Sequence, residues 1–263
     1  MQLNGAHVVL TGASGGLGIA LAHALHAEGA QLLLCGRDAG RLGALRTSLG
    51  ANAQVLLADL TQPADIERVA TEAANFGADL LINNAGISGY GLLAQQPWAV
   101  IDAVLQINLI APIRLTHTML PHLVRKPAAA VVMVGSIFGS LPFAGFAAYS
   151  SAKAGLRGFS QALRRELADT PVEVFYFAPR AIDTALNSPA ARRLNATLGN
   201  TQDAPEQVAR RIVQSLHGTR YEHHLGFPER LFSWINGLNP RWIDRGVAAK
   251  LSAIKRIASE ERA

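Results

Sequence analysis

The sequence predicts an α/β fold: a doubly wound parallel sheet flanked by helices on both faces, with a C-terminal helical extension. Three observations predict it. Short, uninterrupted apolar runs alternate with segments of helical periodicity, as strands covered on both faces by crossover helices do. A glycine-rich turn, TGASGGLG, follows the first of these runs directly. The residues able to do chemistry fall at the carboxyl ends of the strands, where open α/β sheets hold their ligands.

HVVLTG reads as the first strand, and IALAHALHAEG as a helix closed by Gly29. QLLLCGR is a second strand, followed by a helix around Ala39–Leu49. QVLLADL is the third strand, DIERVATEAANFG an amphipathic helix, and DLLINNAG the fourth strand. A long helix covers roughly Trp98–Arg125, AAVVMVGS is the fifth strand, Ala147–Ala168 another long helix, and VEVFYFAP the sixth strand. Residues 1–225 thus read as one catalytic domain, and residues 226–263 as an amphipathic helical extension.

The bulk numbers limit the function classes. A chain of 263 residues with 49% hydrophobic content supports a large core, and 16% charged residues argues against long disordered tracts. The net charge of +5 suits an anionic cofactor, an acidic partner or a membrane surface. Residues 1–225 show no clustered basic stripe, so nucleic acid is not an expected partner. The single cysteine, Cys35, follows QLLL and reads as a buried strand residue in a reducing compartment. His223 and His224 read as a surface pair in a loop, and no metal-ligand spacing stands out. No signal peptide and no transmembrane run are expected, which points to a cytoplasmic protein.

Gly12, Gly16 and Gly18 give a tight turn, close backbone approach and close helix–sheet contact, and the helix behind them offers free N–H groups to a pyrophosphate. Ser14 adds a hydroxyl, and Leu17 lies in the same turn. At the end of the second strand an acidic residue would hold a ribose 2′-hydroxyl, whereas an arginine accommodates a 2′-phosphate. Arg37 stands there, with Arg41 one turn beyond, so NADP(H) is expected over NAD(H). Asp38 is the competing signal, unless it begins the next helix as an N-cap. Asp59 and Leu60 end the third strand, where Asp59 can accept from an adenine amino group. Asn84, Ala85 and Gly86 after the fourth strand, and Pro179, Arg180, Ile182 and Thr184 after the sixth, complete the candidate cofactor set.

Tyr149 and Lys153 stand at i and i+4 in a segment of alanine, serine and glycine, and so share one helical face. A nearby ammonium stabilises phenolate and is expected to lower the pKa of Tyr149, which can then exchange a proton with a developing alkoxide. Ser136, at the end of the fifth strand, can bond a carbonyl oxygen. Asn108 is followed four residues later by Pro112, which lacks an N–H. The helix is expected to kink there, and the freed carbonyl to hold a water near Lys153.

Together TGASGGLG, NNAG at Asn83–Gly86, Asn108, Ser136 and YSSAK at Tyr149–Lys153 resemble the short-chain dehydrogenase/reductase family in its classical form. The resemblance covers about residues 5–215. It implies a Rossmann-like fold, hydride transfer from a nicotinamide, and an Asn108–Ser136–Tyr149–Lys153 tetrad. In that tetrad Tyr149 is the acid/base, Ser136 the carbonyl polariser, and Lys153 the ribose contact. It also implies a homo-oligomer, dimer or tetramer, paired through the helices that carry Asn108 and Tyr149. One position departs: Pro179 is followed by Arg180 where the family has glycine. Arg180 either points outward or contacts a cofactor phosphate or an anionic substrate.

Tyr90, Leu92, Leu93, Phe138, Leu141, Phe143 and Phe146 offer an apolar wall to a substrate, with Ser136, Phe138, Phe143 and Tyr149 as the contacting set. TALNSPAARRLNATLG reads as a mobile lid whose Arg192 and Arg193 are a solvated face or a site for an acidic carrier protein. In the extension, Leu231, Trp234, Ile235 and Leu238 form one apolar stripe, and Ile243, Val247, Leu251, Ile254 and Ile257 a second. Five basic residues against Asp244 leave residues 240–257 at net +4. These helices are expected either to pack on the body or a neighbouring subunit, or to contact a membrane peripherally through residues 227–263. The leading functional expectation is an NADPH-dependent reductase of an apolar ketone, aldehyde or 3-ketoacyl substrate. The alternatives are a dehydrogenase oxidising a sterol-like or other lipophilic alcohol, and a non-catalytic NADPH-binding protein docked on a membrane.

Overall fold

The computed structural model describes residues 1–260. Seven parallel strands form one sheet in the order β3-β2-β1-β4-β5-β6-β7. They are β1 (His7–Thr11), β2 (Gln31–Gly36), β3 (Ala53–Leu57), β4 (Leu80–Asn83), β5 (Ala129–Val134), β6 (Val172–Ala178) and β7 (Glu222–His224). β1 pairs with both β2 and β4, Val9 lying beside Leu33 and Leu81. The strand order therefore reverses between β1 and β4, and a crevice opens beyond their carboxyl ends.

Alternate strand residues serve opposite faces. Leu10, Leu32 and Leu34 pack with Leu21 and Leu25 of α1 (Gly16–Ala27) and Ile212 of α8 (Pro205–Ser215). Val9, Leu33 and Leu81 pack on the other face with Val69 of α3 (Pro63–Asn75), Leu115 of α5 (Ala111–Leu123) and Leu156 of α6 (Ala147–Glu166). Both faces are thus dry, which explains why the strands carry no polar alternation.

Local signals set the helix ends. Gly29, at φ +84°, takes the left-handed position after α1. Asp38 caps α2 (Ala39–Leu49), its carboxylate accepting from the Arg41 amide at 2.9 Å. Pro63 opens α3 at the first turn, where its missing N–H costs nothing.

Four expectations need correction. His223 and His224 are not in a loop: they form β7, pairing with Phe177 and Ala178 of β6. Three polar residues at a sheet edge carry no apolar run to betray a strand. Pro112 does not simply kink its helix. α4 (Trp98–Leu105) and α5 join through a π-helical turn, Gln106–Ile110, in which the Ala111 amide donates to Gln106. The extra residue per turn accommodates the missing donor. That whole run, Trp98–Leu123, is also long and apolar enough to cross a bilayer by length and composition, contrary to the reading of the sequence. Its apolar character is that of a core helix, with Leu115, Met119 and Leu123 buried against the sheet. Finally, the second stripe of the extension is two helices, not one.

The extension comprises α9 (Glu229–Leu238), α10 (Pro240–Ala248) and α11 (Leu251–Glu260). Ile254 and Ile257 of α11 are buried with Tyr90, Phe146 and Leu194. The segment read as a mobile lid contains a packed helix, α7 (Pro189–Thr197), with Ala190, Ala191 and Leu194 buried in the same cluster. Residues 261–263, the end of the expected extension, lie outside the described residues.

Candidate active site

A cavity of about 600 Å³ lies beyond the carboxyl ends of β1, β2, β4, β5 and β6. Its first part is the glycine turn. Gly12 has φ +64°, and a side chain there would press on the Ala85 backbone at 2.7 Å. A Cβ on Gly16 would meet Thr184 at 2.8 Å, so the segment after β6 lies directly over the turn. Gly15, at the start of α1, supplies no side-chain cap, which leaves the first amides of that helix open to a ligand. Thr11 locks the turn to the end of β4. Its hydroxyl donates to Ile82 and accepts from the amides of Asn84 and Ala85 at 3.0 Å. Asn84 returns the bond through its side chain to Thr11 and Gly12.

Ser14, Leu17 and Gly18 line the same end, and Arg37 stands exposed at its rim. Arg41 reaches back to the Ser14 carbonyl at 3.3 Å. Asp59 and Leu60 line the wall opposite, with the Asp59 carboxylate accepting from the amide and hydroxyl of Thr61. Cys35 is buried, and burial pushes its thiol up to about 12, so it is an inert wall residue.

The second part gathers Asn108, Ser136, Tyr149 and Lys153. Ser136 follows β5, Asn108 sits in the π turn, and Tyr149 and Lys153 share a face of α6. Lys153 is 4% exposed, donates to the Val134 carbonyl at 3.0 Å, and stands 5.7 Å from the centre of the Tyr149 ring. Burial lowers its pKa to about 8. Burial also raises Tyr149 to about 12, against a hydrogen bond with Ser136 that acts the other way. The expected lowering of the tyrosine pKa is therefore not found. Desolvation outweighs any help from the ammonium, and the phenol stays protonated.

Asn108 is fully buried, its amide nitrogen donating to Ile87 and Val104 at 2.9 Å. Its Oδ1 has no partner among the described residues and points toward Gly86, whose absent Cβ would lie 2.8 Å from it and 3.7 Å from Lys153 Nζ. A buried acceptor and a buried ammionium-bearing side chain thus converge beside one glycine. The orphaned side-chain oxygen is an acceptor that the reading of Pro112 did not anticipate. Open helix amides, a glycine cradle and this orphaned acceptor together fit a dinucleotide lying along the cavity.

A family model described as short chain dehydrogenase matches residues 6–195. The chain belongs to the short-chain dehydrogenase family. It is accordingly an NAD(P)-dependent oxidoreductase acting at CH–OH and C=O groups. Among its relatives is a 3-oxoacyl-acyl-carrier-protein reductase of Escherichia coli (strain K12), 36% identical over 186 residues, covering 70% of this chain and 76% of the relative. A serine dehydrogenase structure complexed with NADP+ superposes with a TM-score of 0.76 at 26% identity, over 83% of this chain and 94% of that one. A Burkholderia phymatum short chain dehydrogenase/reductase in complex with NAD shares the fold, at 21% identity and a TM-score of 0.84, over 92% of this chain and 96% of that one.

Within this short-chain dehydrogenase, Pro179, Ile182 and Thr184 line the cavity as anticipated, and Arg180 does so without freeing its charge. The Arg180 guanidinium is not turned to solvent. It grips Asp203 through two bonds, 2.7 and 3.1 Å, and reaches the Phe227 carbonyl and Glu229 on the way into α9. Two carboxylates satisfy it locally, so its charge is engaged within the protein. Phe138 lines the cavity together with Phe146, whereas Phe143 stands behind, stacked on Phe138 at 5.7 Å. Phe143 therefore supports the substrate wall rather than forming it. Ile107, Leu186 and Asn195 also line the cavity and were not singled out from the sequence. They come from the π turn, the loop after Thr184 and α7, and no local pattern marks them.

Proposed function

We propose that this enzyme is an NADPH-dependent carbonyl reductase for apolar ketones and aldehydes, 3-oxoacyl chains among them. The observation that carries the reading is the convergence of Ser136, Tyr149 and Lys153 on one cavity walled by Phe138 and Phe146. Tyr149, which burial raises to about 12, faces that wall with Ser136 bonded to it and carries a proton to give. When bound, the nicotinamide supplies the hydride for the carbonyl carbon. Ser136 polarises the carbonyl oxygen, and Tyr149 gives that oxygen its proton, so that hydride and proton together complete the alcohol, secondary from a ketone and primary from an aldehyde. Lys153, with its pKa lowered to about 8, is close enough to neutral pH to return a proton to Tyr149. The unpaired Oδ1 of Asn108 offers a site for the water that would resupply Lys153.

Arg37 supports the cofactor preference, because its guanidinium is exposed at the rim and no described carboxylate pairs with it. Asp38 beside it is engaged in capping α2. The apolar pocket and the similarity to the E. coli 3-oxoacyl-acyl-carrier-protein reductase support an acyl-chain substrate. Arg192 and Arg193 stand exposed on α7, where an acidic carrier could present such a chain. Trp98, Val100 and Ile110 are exposed along the Asn108 helix and suit pairing with a second copy.

The test is a titration with NADPH and NADH, then NADPH consumption against ketones and 3-oxoacyl thioesters of graded chain length. NADPH is expected to bind at least about tenfold more tightly, with Arg37→Gln erasing the difference, each charge-assisted phosphate contact being worth roughly that much. Turnover should rise with chain length. Equal affinities would remove the role given to Arg37, and tight binding without turnover on any carbonyl would remove the reductase reading.

A further inference from the structure

α9 and α10 carry an apolar surface that no described residue covers. Phe227, just before α9, and Leu231, Trp234 and Leu238 of α9 border one shallow depression, and Trp242 of the next helix, α10, is exposed as well. Phe227 is 74% exposed, Trp234 64%, Leu238 62% and Trp242 59%. Side chains of this size, exposed together on this α9–α10 ridge, mark an interaction site.

Charge decides what fits it. The same depression is lined by Arg157, Arg220 and Arg230. Among the described residues only Arg157 is neutralised by a carboxylate there, Glu222 at 2.6 Å. Glu229, the acid at the start of α9, is turned to Arg180. On α10, Arg241 and Arg245 are exposed on either side of Asp244. A second copy of the same surface would set arginine against arginine. An acidic protein would satisfy the arginines but leave the tryptophans and leucines in contact with charge. An anionic bilayer satisfies both, since tryptophan rings sit at the headgroup level and arginines meet the phosphates.

We propose that the α9–α10 ridge docks this protein on an anionic lipid surface. The ridge is fastened to the pocket. Asn236 of α9 donates to the Ser140 carbonyl at 3.1 Å, and Ser140 is bonded to His224 at 2.9 Å. α11 packs on Tyr90 and Phe146: the Tyr90 hydroxyl donates to the Ile254 carbonyl of α11, and the Phe146 ring lines the pocket. A protein docked by this ridge therefore holds its apolar pocket close to the bilayer, where apolar substrates concentrate. The docking itself rests on exposure and charge and does not depend on the reductase reading.

The test uses the full chain with Trp98→Phe, because Trp98 is also exposed and would add its own signal. Vesicles of phosphatidylcholine alone are compared with vesicles containing phosphatidylglycerol, by co-sedimentation and by tryptophan emission. Binding is expected only with phosphatidylglycerol, with a blue shift from Trp234 and Trp242 and weakening as salt is added. Trp234→Ser should weaken it about tenfold. Arg230→Gln with Arg241→Gln should weaken it roughly 25-fold, at about fivefold per arginine. All of these positions are exposed, and the thermal midpoint of each variant checks that folding is intact. Failure to sediment with either vesicle, equal binding to both, or unchanged binding by the variants would overturn the proposal. So would a change of oligomeric state in Leu238→Asp, or capture of an acidic carrier protein by the ridge without vesicle binding.

Discussion

α11 and the α9–α10 pair carry the same kind of apolar stripe and meet opposite fates. Ile254 and Ile257 of α11 are 0% and 3% exposed, whereas Trp234 and Trp242 are more than half exposed. The difference lies in the neighbours. α7 and the Tyr90–Phe146 wall present a surface of matching character to α11, and the Tyr90 hydroxyl adds a bond to the Ile254 carbonyl at 2.8 Å. α9 meets the protein through polar ties, Asn236 to Ser140 and Glu229 to Arg180, and its apolar side faces away. Periodicity announces a stripe; only the fold says whether anything receives it.

Substitutions can break this comparison. Ile254→Ala should cost about 3 kcal/mol of folding stability, the usual scale for emptying a buried aliphatic site. Asp203→Asn leaves the Arg180 charge with weaker acceptors and loosens the post-β6 segment from α9. A loss of about 2 kcal/mol is expected from an ion pair whose side chains are 14% and 8% exposed. Trp234→Ser should change stability by less than about 0.5 kcal/mol. Chemical denaturation of the three variants measures all of this. A Trp234 variant as damaged as the Ile254 variant would show that the ridge is part of the folded core.

A smaller effect separates the two halves by pH. Lys153 loses its proton above about 8 while Tyr149 keeps its own to about 12, so the reduction rate should fall as pH rises through 8. The stability signs oppose one another. Between 8 and 10.5 the unfolded chain binds the Lys153 proton more tightly than the folded one, so that group's contribution to stability rises with pH. Between 10 and 12 the folded chain holds the Tyr149 proton, and its contribution falls. A rate profile with no loss until above pH 10 would mean that Lys153 does not supply the proton.

β1, β2, β4, β5 and β6 were legible because their apolar runs have one explanation, burial on both faces, and β3, at the sheet edge and only partly buried, through the apolar run VLL. β7 was not, because Glu222, His223 and His224 contribute pairing without burial. The positions of Asn108, Ser136, Tyr149 and Lys153 followed from strand ends and helical spacing. Their protonation did not, because spacing gives distance and not desolvation. Arg180 could be read only as a departure. Its partners Asp203 and Glu229 lie 23 and 49 residues away along the chain, and no local pattern links them.

The most direct test is Tyr149→Phe, measured for NADPH affinity and for single-turnover reduction of a carbonyl substrate on the same preparation. The ring is kept and only the hydroxyl is lost. NADPH binding should be nearly unchanged, while reduction should fall by roughly a thousandfold, within the range of a lost general acid. Reduction that persists near the wild-type rate would contradict the assignment of Tyr149 as the proton donor, and with it the mechanism proposed for this pocket.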